Sequence, residues 1–429
     1  MENPIQTESF PPPGFVPTES RVDGILVYRP APEDLGPRNA VVDFKCPRCG
    51  GTTAYSVPDG GLRCEYCGYY EPPEGERVGK GAREFEFTLQ TMERAAHGWG
   101  TERKALTCEG CGARISTPPT AMTATCPFCG SHKVIQRPAT HEGLRPRFLL
   151  PFQLTEDGCR RIVGDWLGSN WMLPADLRHL ADRADFVPMY LPTWTFDAAA
   201  QAHWRAQVGH TETERYYHDG EWKTRTRTVW RWESGRAVRQ FDDVQIRGTA
   251  RLSNRLLDQI GAYDLRDLVV YDPEYLAGSH AQAYDVLLED AWEQARHRMR
   301  EETRLACRAQ ASTSRIRNFS MELAFSDESW RYILVPAYVA AYTYGGQSYQ
   351  VMVNGQTGDV AGQRPVDWTK VGLAIGGALA PGALLTLAGV VTALLGIGGP
   401  LTALGLVLLA MGAFIAFAIL RRAQGMDDV

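Results

Sequence analysis

From Val371 to Leu420 the chain runs for fifty positions without a charged side chain. About 20 apolar residues cross a bilayer as a helix, so this stretch predicts two spans, near Val371–Leu394 and Leu401–Leu420, joined through Gly398, Gly399 and Pro400. Pro381 is placed to kink the first. Upstream, two segments carry the helical period. After Pro151, Phe152, Gln153 and Leu154, Thr155 opens a helix with Glu156 and Asp157 in its first turn and Cys159, Ile162, Val163, Trp166 and Leu167 on one face. After Asp272, Pro273, Glu274 and Tyr275, the pair Ser279 and Gln282 has the form of a capping box. It stands ahead of Tyr284, Leu287, Leu288, Ala291, Trp292, Ala295 and Met299. A proline–aromatic strand follows each helix, Leu191–Phe196 in the first case and Val335–Tyr338 in the second. The likeness predicts a duplicated, mixed α+β domain over residues 145–368.

Period-two stretches fall inside that domain. Asp219 and Gly220 form a hairpin turn, after which Trp222, Thr224, Thr226, Thr228, Trp230 and Trp232 alternate with Lys223, Arg225, Arg227, Val229 and Arg231, the pattern of a half-buried strand. Basic residues beside aromatics suit nucleic acid. Here, however, the two types lie on opposite faces, and residues 201–260 hold eleven Lys and Arg against eight Asp and Glu, which describes a solvated face of an ordinary sheet. A second hairpin spans Tyr349–Val353, a turn at Asn354 and Gly355, and the residues that follow to Val360.

The chemistry is concentrated in cysteine. Cys46, Cys49, Cys64 and Cys67 repeat the spacing of Cys108, Cys111, Cys126 and Cys129: two, fourteen and two intervening residues. Four thiolates so arranged supply the closed tetrahedral shell of a structural Zn²⁺, with no position left for water or substrate. Gly50, Gly68, Gly112 and Gly130 directly follow the four pairs, where a chain doubling back on a metal needs positive φ and N–H groups aimed at sulfur. Two zinc ribbons are therefore expected, at 40–70 and 105–137, with two Zn²⁺ per chain. A ribbon this small buries too little apolar surface to offset its chain entropy, so each is expected to fold as a separate unit on its metal. Tyr66 and Phe128 sit inside knuckles, either as a docking surface or packed over the metal.

Composition adds limits. At 44% hydrophobic and 22% charged the chain is ordinary globular material, and its formal charge of −5 becomes more negative once eight thiolates face two divalent ions, which disfavours a global nucleic-acid binder. Residues 1–39 hold eight prolines and no basic start before an apolar core, so they read as a disordered lead without a signal peptide, with a short strand near Gly24–Tyr28. A linker with a short helix at Thr88–His97 occupies 71–104. It carries Gly75, Gly79 and Lys80, a phosphate-loop likeness with the wrong spacing and with Gly81 where Mg²⁺ needs a hydroxyl. The spans at 371–420 leave a tail at 421–429. Lys370 before them and Arg421 and Arg422 after them put both flanks in the cytoplasm by the positive-inside rule, a two-pass protein of the cell inner membrane with its bulk cytoplasmic. Gly372 and Gly376 form a small-xxx-small pair that admits close helix approach and a homo-oligomer. No zinc-protease, nucleophile-elbow, phosphate-loop or dinucleotide motif occurs; Cys159 lies on an apolar helix face and reads as core, and Cys307 has no histidine at a recognised spacing.

The Cys-Pro-x-Cys-Gly knuckles at Cys46 and Cys126, the strand Pro192, Thr193, Trp194, Thr195 and Phe196, the run Tyr275 to Gly278, and Val353 to Gly358 followed by Gly362 and Pro365 together resemble a known family. It comprises the bacterial membrane-anchored zinc-ribbon proteins with a transcription-factor-IIB-type zinc finger, often mislabelled as primosomal replication helicases. The resemblance spans about residues 45–365. It implies no helicase activity but a non-enzymatic, membrane-associated adaptor that binds cytoplasmic or membrane proteins, in some relatives within phage-shock-protein-A-like stress systems. Many relatives have one recognisable ribbon, so the doubled quartet is a departure. The alternative expectation is a nucleic-acid-binding regulator held at the membrane.

Overall fold

The computed structural model describes residues 15–18, 27–30, 45–72, 77–82, 85–86, 104–117, 126–129, 131, 134–138, 144–181, 184–218, 220–250, 254–393 and 398–427. Residues 1–42 form one unit, in which β1 (Phe15–Thr18) and β2 (Val27–Pro30) pair antiparallel. The expected strand is thus present, shifted towards Pro30 and with a partner from within the lead. The disorder expected for the rest of the lead lies outside the described residues, as does the helix expected at Thr88–His97.

The second unit, residues 43–429, begins with three short antiparallel strands, β3 (Thr53–Ser56), β4 (Gly61–Cys64) and β5 (Tyr70–Glu71). After a 3₁₀ turn at Gly79–Gly81 comes β6 (Phe85–Glu86), and then β7 (Lys104–Cys108), β8 (Arg114–Thr117) and β9 (Val134–Pro138), with β7 between the other two. The α+β region continues with β10 (Phe148–Leu149), α1 (Glu156–Gly168), β11 (Val187–His218), β12 (Glu221–Arg247), α2 (Asn254–Gln259) and β13 (Val269–Val270). It closes with β14 (His280–Gln282), α3 (Leu288–Ala309), β15 (Ile316–Tyr344), β16 (Gln347–Asn354) and β17 (Val360–Gly362). Two apolar helices, α4 (Trp368–Ala393) and α5 (Gly399–Asp427), end the chain.

The duplication is visible in the register. β11 and β15 pair antiparallel, with Leu191 opposite Val335. Each long strand takes on its other side the short strand that opens the opposite half, in parallel: β10 beside Ile333 and Leu334 of β15, β14 beside Met189 and Tyr190 of β11. Each then receives its own returning strand, Arg247 of β12 opposite Thr193 and Asn354 of β16 opposite Ala337. The Pro192 and Pro336 carbonyls accept from Gly248 and Gly355 N–H, both at 2.9 Å. The Gly248 carbonyl in turn accepts from Asp285 and Val286, and the Gly355 carbonyl from Gln153 and Leu154. The ring of Phe152 meets Tyr338 at 5.0 Å and that of Tyr284 meets Trp194 at 5.2 Å. The second-half counterpart of Pro151–Leu154 is therefore Ala283–Val286, and not the Asp272–Tyr275 segment that the short proline likeness suggested.

Thr155 caps α1 as expected, accepting from Gly158 N–H, and Cys159, Val163 and Leu167 are buried. The capping box at Ser279 and Gln282 is corrected. His280–Gln282 is a strand, and the helix opens at Leu288 without a side-chain cap. The reason is tertiary: Gln282 is wholly buried and donates to Thr249 Oγ1 at 2.7 Å, and its neighbour Ala281 pairs with Tyr190 on one side and Ser116 on the other. The turn after β16 is also wider than the two residues expected. Asn354 N–H reaches Asp359 O, while the Asn354 side chain accepts from Gln356 and Thr357.

At 32 residues β11 is about 100 Å of extended chain. Its pairing with β15 stops at Val208, so the remainder forms a two-stranded ribbon with β12. Trp222 near the tip is 72% exposed, which corrects the half-buried reading of this stretch: α3 and residues 310–315 pack on the base of the ribbon, and its distal part is exposed. Three arginines of the basic face are paired across the ribbon with two glutamates. Arg225 pairs with Glu214 at 2.9 Å, and Glu212 pairs with Arg227 at 3.9 Å and also with Arg231.

α4 and α5 are long and apolar enough to cross a membrane, and Pro381 lies within the first. Glycines set their approach, but not the pair expected. Gly372 and Gly376 face open space, whereas a Cβ on Gly389 would stand 2.5 Å from the Thr402 nitrogen. Gly382, Gly405 and Gly412 are equally tight against Leu409, Thr386 and Ala378. Each glycine pair is seven residues, two helical turns, apart, so all four lie on the shared seam.

Candidate metal centres

The eight cysteines of the two repeated motifs come together as two quartets, in each of which the sulfurs lie within 4.8 Å of one another. Cys46 Sγ is 3.5 Å from Cys67 Sγ and Cys49 Sγ is 3.5 Å from Cys64 Sγ; in the second quartet the Cys108–Cys129 and Cys111–Cys126 distances are 3.6 and 3.7 Å. These are far beyond a disulfide bond. A tetrahedral ion with metal–sulfur bonds of about 2.3 Å separates its ligands by about 3.8 Å, so each quartet is already shaped to hold one metal ion.

Local backbone rules build both sites. The first cysteine of each pair donates its N–H five residues ahead: Cys46 to Gly51, Cys64 to Tyr69, Cys108 to Ala113 and Cys126 to Ser131, at 2.6 to 3.0 Å. The tight turn so formed needs a left-handed residue, and Gly50, Gly68 and Gly112 have φ of 72°, 69° and 74°. Gly130 lies outside the described residues. Inside the turns, backbone N–H groups point at sulfur. Those of Cys67 and Tyr66 draw the Cys64 thiol down to about 7, and the Cys126 side chain, helped by Ala113 N–H, draws Cys111 down to about 5. The same bond to Cys111 pushes Cys126 up, and Cys49 and Cys129 are raised as well, so a metal has to displace the protons that each quartet shares before it takes all four thiolates.

The two centres differ in their surroundings. The second is continuous with the central sheet: Ile115 and Ser116 of β8 pair with Gln282 and Ala281 of β14. Leu106, Ala113, Ile115 and Phe128 are buried in one cluster with Met189, Leu191 and Val335. It is not a freestanding unit. The first centre is attached more lightly, through Tyr55 N–H to Ala277 O at 3.1 Å, the Tyr55–Tyr275 ring contact at 5.1 Å, and the close approach of Ala54 to Gly278. Tyr66 and Phe128 occupy the same knuckle position, yet Tyr66 is 76% exposed and Phe128 2%.

Two clusters were not foreseen from the sequence. Asp197, Asp242 and Asp243 converge, but cations already serve them: the 1%-exposed Arg331 pairs with Asp243 and lies 3.7 Å from Asp197, and Lys80 meets Asp242 at 3.1 Å. The phosphate-loop-like lysine is thus a structural ion-pair donor. His210, Glu233 and Ser312 also meet. Here the carboxylate and the hydroxyl both approach Nε2 of the imidazole, at 3.0 and 3.4 Å, and Ser312 Oγ donates to Glu233, so the serine is not activated as in a relay with acid and hydroxyl on opposite ring nitrogens. Apart from the adjacent Asp242 and Asp243 the members come from separate segments, and no local motif announces either cluster.

Fold and site together define a protein with two four-cysteine centres, a duplicated α+β domain carrying one of them in its sheet, and two C-terminal apolar helices. No protein-family model and no solved structure matches the chain. It is 24% identical over 336 residues to the uncharacterized protein YdjG of Bacillus subtilis (strain 168), an alignment that covers 77% of this chain and 92% of that protein.

Proposed function

We propose that the chain is a non-enzymatic, membrane-tethered adaptor. Its four-cysteine centres hold structural Zn²⁺: four soft thiolates in a closed tetrahedron match zinc and leave no coordination site for a reaction. α4 and α5 anchor it in the cell inner membrane as a two-pass hairpin, with the rest of the chain cytoplasmic. Ribbon two stiffens the domain, and ribbon one takes a protein partner. The carrying observation is the contrast at one knuckle position, Phe128 packed into the core and Tyr66 left out in solvent. An exposed aromatic on a metal-rigidified turn costs little entropy to immobilise, which suits a contact centre. The pairing of Arg225, Arg227 and Arg231 with Glu212 and Glu214 weighs against the nucleic-acid alternative, since paired arginines release fewer counterions. The partner is a cytoplasmic or membrane protein, and the family resemblance makes phage-shock-protein-A-like proteins the first to test.

A photo-crosslinking residue at position 66 of the full chain, in native membranes, should form a discrete protein adduct that the same probe at position 222 does not. A nucleic-acid adduct, or identical patterns from both positions, would sink the adaptor reading. Sub-micromolar binding of mixed DNA or RNA that falls steeply with salt and vanishes when Lys223, Arg225, Arg227 and Arg231 are neutralised would replace it with the alternative.

A further inference from the structure

Among the described residues the domain meets the apolar hairpin around a small apolar cluster. Met172 is buried with Val371, Ala423 and Met426. Polar bonds surround it: Asp367 N–H donates to Met172 O at 2.8 Å, Lys370 Nζ to Leu173 O at 2.6 Å, and Arg364 N–H to Met426 O at 3.3 Å. The 170–173 loop is therefore tied to both helices at the positions where the uncharged stretch ends, next to Lys370 on one side and Arg421 on the other.

If the hairpin crosses a bilayer, as the proposed function holds, this is the level at which hydrocarbon gives way to headgroups. The side chains are those an interface selects. Trp171 is 53% exposed and Trp368 47%, and indoles concentrate in the headgroup layer because the ring prefers an apolar neighbour and the N–H a wet one. Arg364 and Arg422 approach each other at this level, and Arg421 precedes Arg422 in the helix. Arg364 is fixed by stacking 4.4 Å over the Trp166 ring and by donating to Trp166 O and Ser169 Oγ. Arg422 lies one helical turn before Met426, whose carbonyl the Arg364 N–H reaches, and after burial its charge helps lower the pKa of Arg364. Among the described residues no carboxylate pairs with Arg421 or Arg422. Lys370, in contrast, is already engaged by Asp367. Like charges held together without a counter-charge are relieved by an anion, and guanidinium groups match phosphate oxygens in pairs.

We propose that the base of the hairpin is a binding site for the headgroup of an anionic phospholipid. Arg364, Arg421 and Arg422 take its phosphate, and Trp171 and Trp368 seat the domain on the membrane surface. The site rests on the membrane reading of α4 and α5.

The test uses the full chain in detergent micelles, titrated with phosphatidylglycerol or phosphatidylcholine, with bound lipid counted by native mass spectrometry. Phosphatidylglycerol should bind at least tenfold more tightly, and Arg421→Gln with Arg422→Gln should weaken it about fivefold per charge removed. Trp171→Ala, which leaves the cations and the topology signal intact, should weaken it severalfold. Equal affinity for the two lipids, or indifference to all three substitutions, overturns the site. Inorganic phosphate displacing the lipid at equal concentration would make it a free-anion site and overturn the lipid assignment. Extraction of the wild-type chain from membranes by alkali would instead remove the membrane reading itself, so the two failures are told apart.

Discussion

The indole N–H of Trp194 donates to the carbonyl oxygen of Val286 at 3.1 Å, deep in the core. The hydroxyl of Tyr338 does the same to the Leu154 carbonyl at 2.8 Å, the equivalent place in the other half. Each bond ties a central strand to the start of the helix packed on it. Trp194→Phe and Tyr338→Phe keep most of the ring but orphan a carbonyl, and each should lower stability by about 1–3 kcal/mol. Chemical denaturation of the full chain in detergent would check this. Trp194→Phe should lose more than Tyr338→Phe, because it also leaves a cavity at a wholly buried site.

The metal centres should fail differently. Cys49→Ser removes a ligand from the lightly attached ribbon, so it should halve the zinc content and raise amide exchange over residues 45–72 while the central sheet stays protected. Cys111→Ser should also halve the zinc, but the loss spreads, since β8 carries β14 and Phe128 lies in the shared core. Hydrogen exchange read by mass spectrometry would show β11 and β14 deprotected in that variant alone. Equal, local effects from both substitutions would mean that ribbon two is independent of the sheet.

What could be read from the chain is what depends on neighbours in sequence. The knuckles need only two cysteines and a glycine, so both centres were legible from spacing, as were the Thr155 cap and the two apolar helices. Gln282 shows the limit. Ser279 and Gln282 fit a capping box, and only backbone pairing with β11 and β8, both far off in sequence, makes the segment a strand. The unequal fates of Tyr66 and Phe128 have the same origin, because the second ribbon gains a sheet neighbour that no local pattern reveals. Arg331 is the extreme case: a buried guanidinium whose partners Ala82, Thr195 and Asp243 come from three separate segments.

Both flanks of the hairpin should lie on one side. Epitope labels at Met1 and Val429 are expected to be protected together from protease in intact cells and digested together once the cytoplasmic face is open. Protection of one end only would leave a single crossing and break the two-pass reading.

The seam between α4 and α5 offers the sharpest substitution test. Helices in lipid gain little from apolar burial against each other, so close backbone approach at small residues supplies the attraction. Gly382 and Gly412 leave no room for a side chain, since the obstructing atoms are the backbones of Leu409 and Ala378, which cannot swing aside. Gly382→Leu or Gly412→Leu should force the helices apart, and cysteines introduced at Thr386 and Thr402 should then lose most of their oxidative cross-linking. Gly372→Leu and Gly376→Leu add the same bulk where nothing stands within 4 Å and should leave that cross-linking unchanged. If these outer substitutions instead abolish an oligomer seen by cross-linking of the wild type, the outer pair serves contact between copies while the inner four glycines hold each hairpin closed.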